Sequence, residues 1–375
     1  MLIAVFGDAH IGAGVDDDIK DALQQIHDQL LARNPRPDLI IVTGDLFDGQ
    51  TTPVQRQLAA EYLNRLSRLC PVGIIKGNHD PEHENELFGM LRTEIRYFPE
   101  YACFSCGENV AHILPWINRG AWIAAHPELS VEESAKSLGA LAADFLRVRV
   151  AMFPELKHYL FGHLTVDGAR AENHQPLIGE GVTIGPHDLL EIFHGGVLGH
   201  IHLQQIITNP SYPGRSMVYP GSIAAMNYGE TSNLHAYAIL DTDSGAIDIC
   251  NLQCPRRLIY DALWDGSLTL DMGEETLESI SNDYIKVRIV LQEGYRPEDA
   301  RKAVRERIPQ CRELKIEMQL RPKEQVRAPE VSRSAKASDK MIGYWKATGT
   351  TPDEPKRQRM LDKVNYLEEL WNQRA

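Results

Sequence analysis

Residues 72 to 83 read VGIIKGNHDPEH, an apolar run followed, after Lys76 and Gly77, by an amide, an imidazole and a carboxylate: Asn78, His79 and Asp80. Asn, Asp and Gly also close ordinary strands, because they tolerate turn conformations, so this stretch takes its meaning from the rest of the chain. The same grammar recurs four times. LIAVF is followed by Gly7-Asp8-Ala9-His10, LIIVT by Gly44-Asp45-Leu46-Phe47-Asp48, HYLF by Gly162-His163, and GGVL by Gly199-His200-Ile201-His202. Each strand-like run ends in Gly and then a potential metal ligand. The glycine lets the backbone turn sharply and approach closely. In α/β sheets the crevice beyond the carboxyl ends of the strands is where sites form, so five such ends can converge although they run from residue 7 to residue 202.

The residue types make chemical sense together. Asp8, His10, Asp45, Asn78, His163, His200 and His202 supply two carboxylates, four imidazoles and one neutral amide. That exceeds what one divalent ion needs and suits two ions sharing a bridging carboxylate. Asp-x-His and His-x-His place both side chains on the same side of an extended segment. Oxygen and nitrogen donors without thiolate suit Mn²⁺ or a similar octahedral ion, Mg²⁺ included, better than structural zinc. Taken singly, each histidine reads as a core or surface residue, and Asp45 and Asp48 as a helix cap and a turn. The fivefold coincidence argues for a site. His27, His126 and His235 lack this context.

Length and composition bound the rest. A chain of 375 residues predicts two or three domains, and 43% hydrophobic with 24% charged residues is a soluble globular composition. The opening MLIAVFGDAH has no basic flank and reads as neither signal peptide nor anchor. No run approaches the roughly 18 apolar residues of a membrane helix, so the expectation is a cytoplasmic protein with no membrane partner. The cysteines, Cys70, Cys103, Cys106, Cys250, Cys254 and Cys311, are sparse and read as reduced thiols rather than a disulfide framework or a zinc site. A net charge of −13 excludes bulk-electrostatic coating of nucleic acid but not a nuclease. Residues 321 to 375 carry 12 Lys and Arg against 8 Asp and Glu, a basic tail on an acidic body.

The pattern along the chain predicts an α/β domain with a layered sheet at its start. Helices are expected near 16 to 33, 53 to 69 and 85 to 92, and over 130 to 153, where Ser130 and Glu133 spell a capping box. From 204 to 265 the reading is β, with Asp243-Ser244-Gly245 as a hairpin turn. YIKVRIVL at 284 to 291, a helix near 297 to 307 and LKIEMQL at 314 to 320 form a small βαβ unit. The expected boundaries are 1 to 265 for the first domain, 266 to 320 for the second, 321 to 339 for a linker and 340 to 375 for a helical tail. In the tail, Thr351, Pro352 and Glu354 predict a helix start, and Leu361, Val364, Leu367 and Trp371 recur at helical spacing as an apolar stripe.

The ordered set GDAH, GDLFD, GNHD, GH and GHIH resembles the calcineurin-like metallophosphoesterase family over roughly residues 1 to 225. FGHLTV, VLGHIHLQQ and YPGS at 219 to 222 are similar to its SbcD-type branch of DNA repair nuclease subunits, and Asp48 is consistent with the bacterial members. Gly49 and Asp80 stand where the phosphoprotein phosphatases carry Arg and Glu, which argues against that branch. The resemblance implies a four-layer α/β/β/α domain with a small α/β capping domain and a C-terminal helical tail. It further implies that Asp8, His10, Asp45 and His202 bind one metal ion and Asp45, Asn78, His163 and His200 the other. His79 would then be catalytic, stabilising charge on the phosphorane or protonating the leaving oxygen, with Asp80 orienting it.

The implied activity is a DNA exonuclease and hairpin endonuclease acting with an SbcC-like ATPase, held by the tail stripe. The implied assembly is a homodimer within a heterotetramer, paired through helices carrying Leu58, Tyr62, Leu66, Leu87 and Leu91. Two alternatives stay open: a stand-alone phosphodiesterase for a small nucleotide, and a non-catalytic scaffold.

Overall fold

Side-chain alternation along the first strand sets the layering. In Leu2–Phe6, Ala4 and Phe6 belong to one buried cluster and Ile3 and Val5 to another. Successive residues of a strand point to opposite faces, so a strand buried on both must lie between two layers. The computed structural model describes residues 1–81, 87, 90–106, 108–171, 175, 181–230, 234–292, 294–320 and 336–372.

Leu2–Phe6 is a central strand of a six-stranded sheet ordered Ile247–Asn251, Ala236–Asp241, Leu2–Phe6, Leu39–Val42, Val72–Ile75 and Ile95–Phe98. The last four run parallel. A second six-stranded sheet is ordered Gln205–Thr208, Ser216–Tyr219, Gly195–Gly199, Lys157–His163, Asn109–Leu114 and Ala102–Cys106. Ile3, Val5, Ile41 and Ile75 of the first sheet pack against Ile113, Tyr159, Phe161 and Val197 of the second.

Helices cover both outer faces. Asp16–Ala32 turns Ile19, Ala22, Leu23, Ile26 and Leu30 onto the Ala4 and Phe6 side, joined by Pro53–Leu66, which opens with a Thr52–Gln55 capping box. Val131–Val150, capped by Ser130 and Glu133 as expected, and Pro186–Ile192 cover the second sheet. The order is α/β/β/α. The expected hairpin at Asp243-Ser244-Gly245 joins Ala236–Asp241 to Ile247–Asn251.

The small sheet is ordered Leu268–Leu270, Arg257–Trp264, Tyr284–Leu291 and Glu313–Leu320. It contains the expected βαβ unit, with Pro297–Arg307 between its two parallel strands. It also begins earlier than a boundary at 265, because Arg257–Trp264 pairs in parallel along the whole of Tyr284–Leu291. An alternating strand such as RLIYDALW does not reveal which sheet it will join. Across the junction, Arg312 pairs with the buried Asp18 at 2.7 Å, and Arg257 donates to the Ala225 carbonyl at 3.0 Å.

The tail departs from expectation in three ways. Most of the linker at 321 to 339 falls outside the described residues, yet its end is already helical, within Ala337–Thr348. The last helix, Glu354–Asn372, starts at neither Thr351 nor Pro352. Asp353 caps it instead, accepting from the Lys356 N–H at 3.1 Å. The two helices pack on each other, with Trp345 buried and the Ala337 N–H donating to Glu368, so the tail is a helical hairpin. Leu361 and Val364 are half-buried and Leu367 is exposed, while the Trp371 side chain lies outside the described residues.

Half of the helix expected near 85 to 92 also falls outside them. Tyr62, Leu66 and Leu87 are buried in the chain's own first core, with Leu58 and Leu91 packed against it. Tyr62, Leu66 and Leu87 are thus spent on their own sheet, and Leu58 and Leu91 stay half-buried beside it, since helical spacing alone does not separate core packing from a surface role. No described helix is long and apolar enough to cross a membrane.

Candidate metal centre

The five Gly-led strand ends do converge. Leu2–Phe6, Leu39–Val42 and Val72–Ile75 are adjacent parallel strands of one sheet, and Lys157–His163 and Gly195–Gly199 are adjacent parallel strands of the other. Their carboxyl ends meet across the sandwich. The His200 N–H donates to both oxygens of Asp8 at 2.9 and 3.1 Å, and His163 Nδ1 lies 2.8 Å from the Thr43 carbonyl.

Among the described residues, four that are not glycine have positive φ, and all four are candidate ligands: Asp8, His10, Asp45 and His200. Left-handed backbone is uncommon outside glycine and collects at functional sites. Gly77 serves the same crowding differently, since a Cβ there would sit against the Asp45 carboxylate.

The side chains form two linked groups. In one, His10 Nε2 and His202 Nε2 are 3.0 Å apart, with Asp8 close by. In the other, Asn78 Oδ1 lies 2.8 Å from His163 Nε2 and 3.0 Å from His200 Nδ1. Asp45 stands between them, its Oδ2 3.2 Å from His163 Nε2 and 3.6 Å from His10 Nε2. One carboxylate thus reaches both groups. The donor set fits two divalent ions: imidazole nitrogens converge with carboxylate and amide oxygens, Asp8, His10, Asp45 and His163 being buried, His200 and His202 half-buried and Asn78 exposed.

Electrostatics follow from this crowding. Burial pushes the Asp8 carboxyl up to about 6. For Asp45 burial acts in the same direction, but His163 and His10 outweigh it and hold the carboxyl well below its usual range. His163 loses charge stability to burial, yet Asp45 and Asp8 overcome this and push it up to about 9. Its surroundings agree, since both ring nitrogens face acceptors. Burial lowers His10 to about 4 and His200 to about 3.

His79 and Asp80 divide their work differently from the sequence reading. Asp80 does not hold His79. Its carboxylate accepts backbone N–H groups from Asp45 and Phe47 at 3.0 Å and from Gly77 at 2.8 Å, tying two ligand loops together. The residue beside His79 is Asp48, with Nδ1 to Oδ1 at 2.9 Å. The His79 ring, 46% exposed, is the accessible imidazole of the centre; it packs edge-on to His10 and lies near enough to Asp45 to join that group.

Three participants carried no sequence signal. Trp116 stacks obliquely on His200, with centroids 4.9 Å apart, and lies edge-on to His163. The Thr43 carbonyl backs His163, and Glu230, buried, backs His202. Such partners depend on tertiary proximity, and no local pattern marks them.

A family model described as calcineurin-like phosphoesterase matches residues 1–204. Among curated proteins the chain is similar to the SbcD subunit of the SbcCD nuclease of Staphylococcus epidermidis, 23% identical over 269 residues that cover 66% of this chain and 67% of that protein. Among solved structures it is similar to TT1561 of Thermus thermophilus, at 12% identity and TM-score 0.40 over 67% of this chain and 99% of that one. A dimetal phosphatase from Danio rerio matches at 13% identity and TM-score 0.42, over 64% and 91% of the two chains. A purple acid phosphatase from yellow lupin matches at 11% and 0.37, over 68% and 54%.

Proposed function

The chain belongs to the calcineurin-like phosphoesterase family, and we propose that it is a two-metal DNA nuclease, an exonuclease and hairpin endonuclease working with an SbcC-like ATPase. The observation that carries the hydrolytic part is the position of Asp45 between two groups of candidate donors. Asp8, His10, Asp45 and His202 would hold one ion, and Asp45, Asn78, His163 and His200 the other. Two divalent ions so held, Mn²⁺ or Mg²⁺, neutralise charge on the attacked phosphoester and lower the pKa of water.

The protein's own groups do the rest. Asp80 fixes the Asp45 and Gly77 loops through their backbone amides, so the ligands keep their spacing as substrate arrives. His79, accessible and held at Nδ1 by Asp48, is placed to hand a proton from Nε2 to the leaving oxygen. A Gly77-led loop exposes that imidazole while Asn78, one residue earlier, turns to His163 and His200.

Support for DNA as the substrate, and for the ATPase as partner, comes from the similarity to the SbcCD nuclease subunit, together with the small α/β domain and basic tail beyond the hydrolase domain. End-labelled duplex and hairpin DNA, incubated with Mn²⁺ or Mg²⁺ with and without the ATPase, tests the reading. Metal-dependent shortening and hairpin opening, stimulated by the ATPase with ATP, are expected. Hydrolysis of cyclic dinucleotides with duplex DNA untouched would assign the site to a small nucleotide, and no phosphodiester cleavage at all would leave a scaffold.

A further inference from the structure

We infer that Glu230 is a positioning residue for His202, an acceptor that sets the tautomer and orientation of one metal-facing imidazole. The inference rests on the metal-centre reading above and extends it to a residue 28 positions beyond its histidine.

Glu230 is an acidic residue with 1% exposure, and a buried carboxylate persists only when its oxygens are satisfied. Four groups do so. Oε2 accepts from the Ser222 hydroxyl at 3.1 Å, while Oε1 receives the Met226 N–H at 3.2 Å and the Asn227 amide at 3.3 Å, and lies 3.4 Å from His202 Nδ1. None of the first three partners is charged. The imidazole is the group in this set that gains most from a carboxylate, because its Nδ1 must carry the proton if Nε2 is to face a cation.

The other nitrogen does face the centre, since His202 Nε2 is 3.0 Å from His10 Nε2. The same division of labour appears at His163, whose Nδ1 meets the Thr43 carbonyl while Nε2 turns to Asn78 and Asp45. Metal-ligating histidines ordinarily have such an acceptor behind them, and removing it typically costs about 10- to 100-fold in metal affinity. Glu230 is therefore the counterpart of Thr43 in the other group of donors.

Its own placement is fixed from a distance. Glu230 closes the short Tyr228–Glu230 turn, and the Tyr228 ring lies under Lys286 and Arg257, at 4.9 and 5.6 Å, both on strands of the small sheet. The small domain thereby anchors the turn that presents the carboxylate to His202.

Calorimetric titration of the full chain with Mn²⁺ tests this. The wild type should bind two ions; fewer would contradict the metal-centre reading itself, before any variant is compared. Glu230→Gln keeps the volume and an amide oxygen toward Nδ1 and should weaken one of the two ions by about tenfold, and Glu230→Ala by about 100-fold, with the other ion's affinity unchanged. Thermal unfolding of the metal-free variants separates a folding effect from an orienting one. Equal loss at both ions, or unchanged affinities in folded Glu230→Gln, would overturn the inference even if Glu230→Ala fails to fold.

Discussion

His79 and Asp80 are neighbours with different duties, and their substitutions should separate cleanly. His79 is exposed and paired with Asp48, so His79→Gln should keep both ions and the folding midpoint while the hydrolysis rate drops about 10²-fold or more, the range for a lost proton donor. Asp80 is a clamp on three backbone amides. Asp80→Asn replaces one acceptor oxygen by a donor facing an N–H, which costs about 1–3 kcal/mol and should loosen the Asp45 loop, so stability and metal affinity fall together. Metal titration alongside thermal unfolding reads both; a His79 variant that loses an ion would make His79 a ligand. The sequence named both residues but paired them wrongly, because adjacency along the chain says nothing about which carboxylate the fold brings to an imidazole. The convergence of the glycine-led candidate ligands was legible because each rests on a local pattern, strand then Gly then a donor side chain. Glu230 and the Thr43 carbonyl were not, since each meets its histidine only across the folded sandwich.

Among the elements, the helix Val131–Val150 shows packing overriding propensity. Gly139 lies in its interior, where Ala would ordinarily gain about 0.5–1 kcal/mol, but a Cβ there would run into the Thr183 carbonyl. Overpacking of this kind costs about 1–3 kcal/mol, so Gly139→Ala should be net destabilising in denaturant unfolding, and a stabilised variant would contradict the close approach. The tail makes a separable element. Its hairpin was half legible: the stripe in Glu354–Asn372 was visible, but SDKMIGYWK offered too weak a period to reveal its companion helix. Truncation after residue 336 removes both helices together, and should leave metal-dependent phosphodiester hydrolysis intact while abolishing retention of the ATPase proposed as partner. Leu367→Glu changes an exposed position of the stripe and should weaken that retention without altering hydrolysis. Loss of hydrolysis in the truncated chain would place the hairpin in the core of the phosphoesterase domain instead.

For the whole molecule, the two sheets are held in register by their shared core and place five strand ends around one carboxylate, which makes folding and metal binding parts of one equilibrium. Protons compete for the same atoms. Burial opposes charge on His163, but Asp45 and Asp8 prevail and push it up to about 9, so at neutral pH a proton must leave before an ion enters. Mn²⁺ affinity should therefore rise with pH until about 9, and binding near neutrality should release protons, measurable by calorimetry in buffers of different ionisation enthalpy. A pH-independent affinity would contradict the assignment of His163 as a ligand. The most direct test is anomalous diffraction from crystals grown with Mn²⁺. Two peaks about 3.5–4 Å apart, with the Asp45 carboxylate touching both, are expected. A single peak, or two peaks neither of which touches Asp45, would contradict the shared-carboxylate centre.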